Sequence, residues 1–164
     1  MAAGSLVQVQ PPAGRLEQSD DIHHGRQRSD RAANKYPHAY VDDCRARIAL
    51  QMSTYEALVN AASARSVEPF EHQFFNNLVL VLDYLFVHRT RALENKDGNP
   101  LNEVGMICNT LLQNHGVLAA DNTIKLDPSK SVLGLHVGDE IRMSAADFQR
   151  LSDAFFDEIE RKFT

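Results

Sequence analysis

Asp83 is the most conspicuous group able to do chemistry. It stands inside residues 78–87, where only Asp83 and Tyr84 interrupt an apolar run. An unpaired carboxylate in an apolar interior is costly, so this one must be paired, hydrogen-bonded, protonated or placed at a surface opening. The expectation is a structural hydrogen bond to a neighbouring helix, or a narrow solvent-facing edge. The alternative is a site carboxylate. Tyr84 and His88 lie four residues apart and share a helical face with Asn77. A tyrosine and a histidine so placed could move protons, although such pairs more often simply pack. Asp83, Tyr84 and His88 are therefore the catalytic candidates, with Tyr55, Asn77 and Asn109 as candidate ligand-binding groups on the same and adjacent helices.

Metal chemistry has a thinner basis. Glu68 and His72 are four apart and could hold one ion between them. A carboxylate-bridged di-iron bundle needs a Glu-x-x-His on two helices and two further glutamates, and the chain has no such second set. Glu68 and Glu71 also suit a helix N-terminus, where acids are stabilised by the helix dipole. His72 and Asp83 share a face but are separated by about 16 Å along the axis, and His88 points nearly opposite to His72. The adjacent His23 and His24 fall in a polar stretch that reads as solvated. The two cysteines, Cys44 and Cys108, lack CxxC or Cys/His zinc spacing and read as buried free thiols. No Walker loop, GxGxxG, GxSxG or HExxH occurs. No cofactor is implied.

These groups must be positioned by four helical stretches. Val41, Cys44, Ile48, Met52, Tyr55, Val59 and Ala62 recur at spacings of three and four, which predicts a helix that starts after Tyr36, Pro37 and His38 and runs to about Ala64. After a break at residues 65–69, with Ser66 as cap and Pro69 in the first turn, a central helix is predicted over residues 70–94. Its apolar girth predicts burial on all sides. Asn99 and Pro100 open a third helix that Asn114, His115 and Gly116 close. The period then changes to two. Residues 123–126, 132–137 and 140–143 read as a three-stranded antiparallel meander, with turns at Asp127, Pro128 and at Gly138, Asp139. Ser144 and Asp147 form a capping-box pattern before a last helix with Phe148, Leu151, Phe155, Ile159 and Phe163 on one side. Its other side is acidic, with Asp153, Asp157, Glu158 and Glu160.

The predicted fold class is therefore α+β, mainly α: three helices, the meander, and a C-terminal helix around a central hydrophobic helix. Residues 1–35, rich in Pro, Gly and mixed charge, read as a disordered or loosely held arm, and residues 36–164 as a single globular domain. The net charge of −5 lacks the basic footprint that general nucleic-acid binding requires. The apolar run of about ten residues is too short for a membrane span of roughly 20. No signal-peptide pattern opens the chain, so a cytoplasmic location is expected.

Two classes of function remain. The first is a non-enzymatic interaction or regulatory protein acting as a homodimer, with a protein partner at the acidic last helix or the N-terminal arm as a further expectation. The dimer follows from the shortage of elements to cover the central helix. The second is a small enzyme or ligand-binding protein with a pocket beside the central helix, using Asp83, Tyr84 and His88.

Overall fold

The computed structural model describes residues 33–62, 64–120, 124, 127 and 129–164, without the side chains of residues 64–66 and 68. Helix α1 spans His38–Ala61, α2 Ala64–Leu85, α3 Pro100–Gln113 and α4 Ala145–Phe163, and a 3-10 turn, η1, covers Arg91–Leu93. Helices α1 and α2 form an antiparallel hairpin: Tyr40, near the start of α1, donates to the carbonyl of Leu85 at the end of α2. Near the hairpin's other end the ring of Tyr55 stacks on Phe74 at 5.5 Å. Helix α4 packs against α1, α2 and α3, and α3 packs against α2.

The core follows from the helical periodicity. Val41, Cys44, Ile48, Met52 and Tyr55 form the buried stripe of α1, and Phe148, Leu151, Phe155, Ile159 and Phe163 that of α4. Between them lie Phe75, Leu78, Val79, Leu82 and Phe86 from α2 and its end, and Leu101, Val104 and Ile107 from α3. Burying a phenylalanine contributes on the order of 1.5–3 kcal/mol, so this aromatic cluster is a main source of stability. The helix ends obey local chemistry. The Asn99 side chain accepts from the backbone N–H groups of Leu101 and Asn102, with Pro100 at the first position of α3. Ser144 and Asp147 form the reciprocal capping box of α4.

The α+β expectation is overturned: among the described residues there are four helices and no sheet. The predicted strand at residues 123–126 falls, except for Ile124, outside the described residues. The other two predicted strands do not pair with each other. Gly134 and Gly138 adopt φ of 68° and 99°, which breaks the extended backbone on one predicted strand and bends the chain after it. Several backbone groups of the two segments are instead taken by helix side chains. The buried Glu103 carboxylate accepts from Ser131 Oγ at 2.6 Å and from the N–H groups of Val132 and Leu133 at 2.7 and 3.0 Å. The Asn76 amide donates to the Ile141 carbonyl and accepts from the Met143 N–H. Among the described residues one antiparallel bridge occurs, joining Val117 to Glu140, because residues 116–118 rather than 132–137 meet the 138–141 segment. With these groups taken by Glu103 and Asn76, and others by turn partners such as Ser131, Asp139 and Leu118, the segments form no ladder.

The central helix also differs from its predicted form. It begins at Ala64, so Pro69 lies inside it, and it ends at Leu85 rather than at Glu94. The expected cap Ser66 has its side chain outside the described residues. Nor is α2 enclosed on all sides. Leu82 is fully buried and Leu80 and Leu85 are half-buried, but Phe70, Gln73, Asn77, Val81 and Tyr84 form an exposed stripe. Residues 1–32 of the expected arm lie outside the described residues. Ala33 pairs with the loop after α2, accepting from the Thr90 N–H at 3.0 Å, and the Tyr36 N–H donates to the Phe163 carbonyl. Among the described residues no helix is long and apolar enough to cross a membrane.

Candidate functional site

Asp83 is engaged by arginine. The side chain of Arg89 is fully buried; its Nη2 donates to Asp83 Oδ1 at 2.6 Å and its Nε to Glu94 Oε1 at 2.7 Å. Its Nη1 donates to the carbonyls of Asp83 and Phe86 at 3.3 and 3.1 Å. Arg91, half-exposed, reaches Asp83 at 3.4 Å and Glu94 at 3.0 Å. Arg89 thus satisfies carbonyls that a helix end leaves open, as well as two carboxylates. The arrangement explains why α2 stops short: continuing the helix would carry Arg89 away from both acids. Asp83 retains 18% exposure, and its oxygens face guanidinium groups.

Tyr84 and His88 are exposed and outside the hydrogen-bond cluster of Asp83. Their backbone carbonyls go elsewhere, that of Tyr84 to the Val87 N–H and that of His88 to the Ala33 N–H. The helix ends between the two, so the shared face expected of them is lost. At the other end of α2, His72 donates through Nδ1 to the Met143 carbonyl at 3.2 Å. Glu71 accepts from the Ala145 N–H at 3.0 Å, at the first position of α4. These two side chains hold the entry to α4 together with Asn76. The side chain of Glu68 lies outside the described residues. Among the described residues, no three His, Cys, Asp or Glu side chains come together as a metal site would require.

Both thiols are buried and free. Burial above all, and then the Asp83 carboxylate, pushes the Cys108 thiol up to about 12. Burial likewise raises Cys44. Each is kept in the unreactive protonated form.

What remains open is the outer face of the α1–α2 hairpin. A groove of about 630 Å³ runs between the helices, walled by Arg47, Leu50, Thr54 and Leu58 from α1 and by Phe70, Phe74, Val81 and Leu85 from α2, with Tyr55 at its base. A smaller depression of about 200 Å³ adjoins it, sharing Gln51, Phe70, Phe74 and Val81 and adding Gln73 and Asn77. The face thereby brings together two of the sequence candidates, Tyr55 and Asn77, and leaves out the third, Asn109, which is exposed on α3. Tyr55 is buried, with its ring edge-on to Phe75 at 4.7 Å. Burial, and next the Glu71 carboxylate, raises its phenol pKa, so it stays neutral. Large apolar side chains lie bare along the face: Leu50 is 67% exposed, Leu58 46%, Phe70 44% and Val81 43%.

Sequence reasoning missed Arg89, Glu103 and Asn76, the polar groups that organise the interior. Arg89 carried a readable signal: it follows Asp83 by six residues and precedes Glu94 by five. Glu103 and Asn76 carried none beyond being polar positions on apolar helices. The chain matches no protein-family model, no curated protein and no solved structure, so its function is argued from these residues alone.

Proposed function

We propose that this chain is a non-enzymatic interaction protein and that the outer face of the α1–α2 hairpin is its docking surface. The observation that carries the reading is the second apolar stripe on each helix. Besides the stripe that fills the core, α1 exposes Leu50 and Leu58, and α2 exposes Phe70 and Val81, around one groove. Apolar side chains gathered into one face mark a place where another surface is buried. An enzyme built on Asp83, Tyr84 and His88 is the less favoured reading. Asp83 is committed to Arg89 and Arg91, and neither Tyr84 nor His88 lines the groove. The acidic face of α4 is less suited to docking than its charge suggests, because Arg45 already bridges Asp157 and Glu160 at 3.6 and 2.8 Å. A reducing, cytoplasmic setting fits two buried free thiols.

A photo-crosslinking residue placed at Thr54, in the groove, tests the reading against one placed at Asp153, on α4. Irradiation in living cells is expected to give a discrete protein adduct from position 54 and none from 153. Adducts from 153 alone, or from neither position, would overturn the docking face.

A further inference from the structure

Resting on the docking face just described, we infer that its occupant is a second copy of this chain, joined through a two-fold axis to form a four-helix interface of two α1–α2 hairpins. Charge carries the choice of partner. Charged residues make up 24% of the chain. Around the groove and its adjoining depression the lining carries one charged residue, Arg47, at the N-terminal end of the lined stretch of α1, and the polar members Gln51, Thr54, Gln73 and Asn77 are neutral; a two-fold axis near Thr54 therefore keeps the two copies of Arg47 at opposite ends of the contact. In an isologous contact each patch meets its own kind, so a charge near the axis would oppose itself. A neutral, apolar face is complementary to itself. It offers little to a strongly charged partner, whose own charges would be stripped of water without an answering group.

Size sets the strength of the contact. The stretches that line the groove, residues 47–58 and 70–85, are about 18 and 24 Å long at 1.5 Å per residue, and two neighbouring helices are about 20 Å across. A face of about 400 Å² per partner results, at the low end of specific interfaces, as suits a weak, reversible dimer. Leu50 is the most exposed of the groove's apolar side chains, so it is the one that would enter a partner's groove of about 630 Å³. A two-fold operation places one copy's Leu50 ridge over its partner's groove and returns the favour reciprocally, which is knob-in-hole packing between helical hairpins.

The test is sedimentation equilibrium on the full chain from about 1 to 100 µM. The wild type is expected to sediment with twice the chain mass at the upper end. Leu50→Glu and Val81→Glu change exposed positions, so circular dichroism should show an unchanged helical fold. Each should weaken self-association at least 100-fold by burying a charge at the interface. Asp153→Lys, on α4, should leave it within about twofold. A dimer that survives both face variants, or that is lost with Asp153→Lys, overturns the inference. A wild type that stays monomeric at 100 µM also overturns it. In that event an adduct from position 54 to a different protein leaves the docking face standing, whereas no adduct there removes both.

Discussion

Replacing Arg89 by methionine tests the account of how α2 ends. Methionine keeps most of the aliphatic volume and removes the guanidinium. Four hydrogen bonds disappear, two of them to carboxylates at 2.6 and 2.7 Å. Removing one partner of a buried ion pair costs about 3–5 kcal/mol, chiefly because the other partner is left buried and unanswered. Two features place Arg89→Met at the lower end. Asp83 keeps 18% exposure, and Arg91 remains within 3.4 Å of Asp83 and 3.0 Å of Glu94. The expected loss is therefore about 3 kcal/mol, a large part of the 5–15 kcal/mol that holds a typical domain together. With a urea slope of about 2 kcal/mol/M, the unfolding midpoint should fall by about 1.5 M. The chain has no tryptophan, so unfolding is best followed by far-ultraviolet circular dichroism, at one fixed protein concentration. Adding Asp83→Asn and Glu94→Gln to Arg89→Met should recover at least about 1 kcal/mol, since the orphaned charges vanish with it. A midpoint shift under about 0.3 M for Arg89→Met, or no recovery in the triple variant, would refute the reasoning.

Glu103→Gln should loosen residues 131–133, at a cost of about 1–3 kcal/mol, because three donors lose a charged acceptor; amide exchange at Val132 and Leu133 should quicken while that of α4 is unchanged. At the α4 cap, burial works against the Asp147 carboxylate, but Ser144 and Arg150 outweigh it and hold its pKa below the ordinary 3.8. Its stabilisation is therefore complete above that value and is lost as pH falls through the depressed one, so Asp147→Asn should flatten the decline of the thermal midpoint between about pH 4 and 2. Ser144→Ala should cost about 1 kcal/mol of stability in urea titrations. Tyr84→Phe and His88→Ala should each change stability by less than about 0.5 kcal/mol, since both side chains are exposed and outside the ion cluster; a larger loss in the same titration would give them a structural part.

The legibility of the chain divides along physical lines. The buried stripes of α1 and α4 were readable because helical periodicity is a local property: Val41 to Tyr55 and Phe148 to Phe163 recur at three and four whatever surrounds them. The caps at Asn99 and Ser144 were readable for the same reason. The meander was not a sound inference, because alternation in residues 132–143 reports only where side chains are apolar, not where backbone groups find partners. Those partners are Glu103 and Asn76, tens of residues away in the chain. The length of α2 was misjudged because the pull of Asp83 and Glu94 on Arg89 competes with helix propensity. Of the candidate residues, Tyr55 and Asn77 come to the hairpin face, while Asp83 is absorbed by the ion cluster. The face itself was foreshadowed by the expectation that three other helices and a small sheet could not cover the central helix on all sides. Its location on α1 was hidden, since Leu50 and Leu58 lie outside the stripe that the helical periodicity picks out.

The docking of one hairpin face on another is tested most directly by methyl-labelled nuclear magnetic resonance of the wild-type chain over a dilution series from about 500 to 5 µM. The methyl signals of Leu50, Leu58 and Val81 should move with concentration, while those of the buried Leu82 and Leu101 stay fixed. Signals on the hairpin that do not move, or movement confined to Leu112 and Val137, which are exposed elsewhere, would contradict the account.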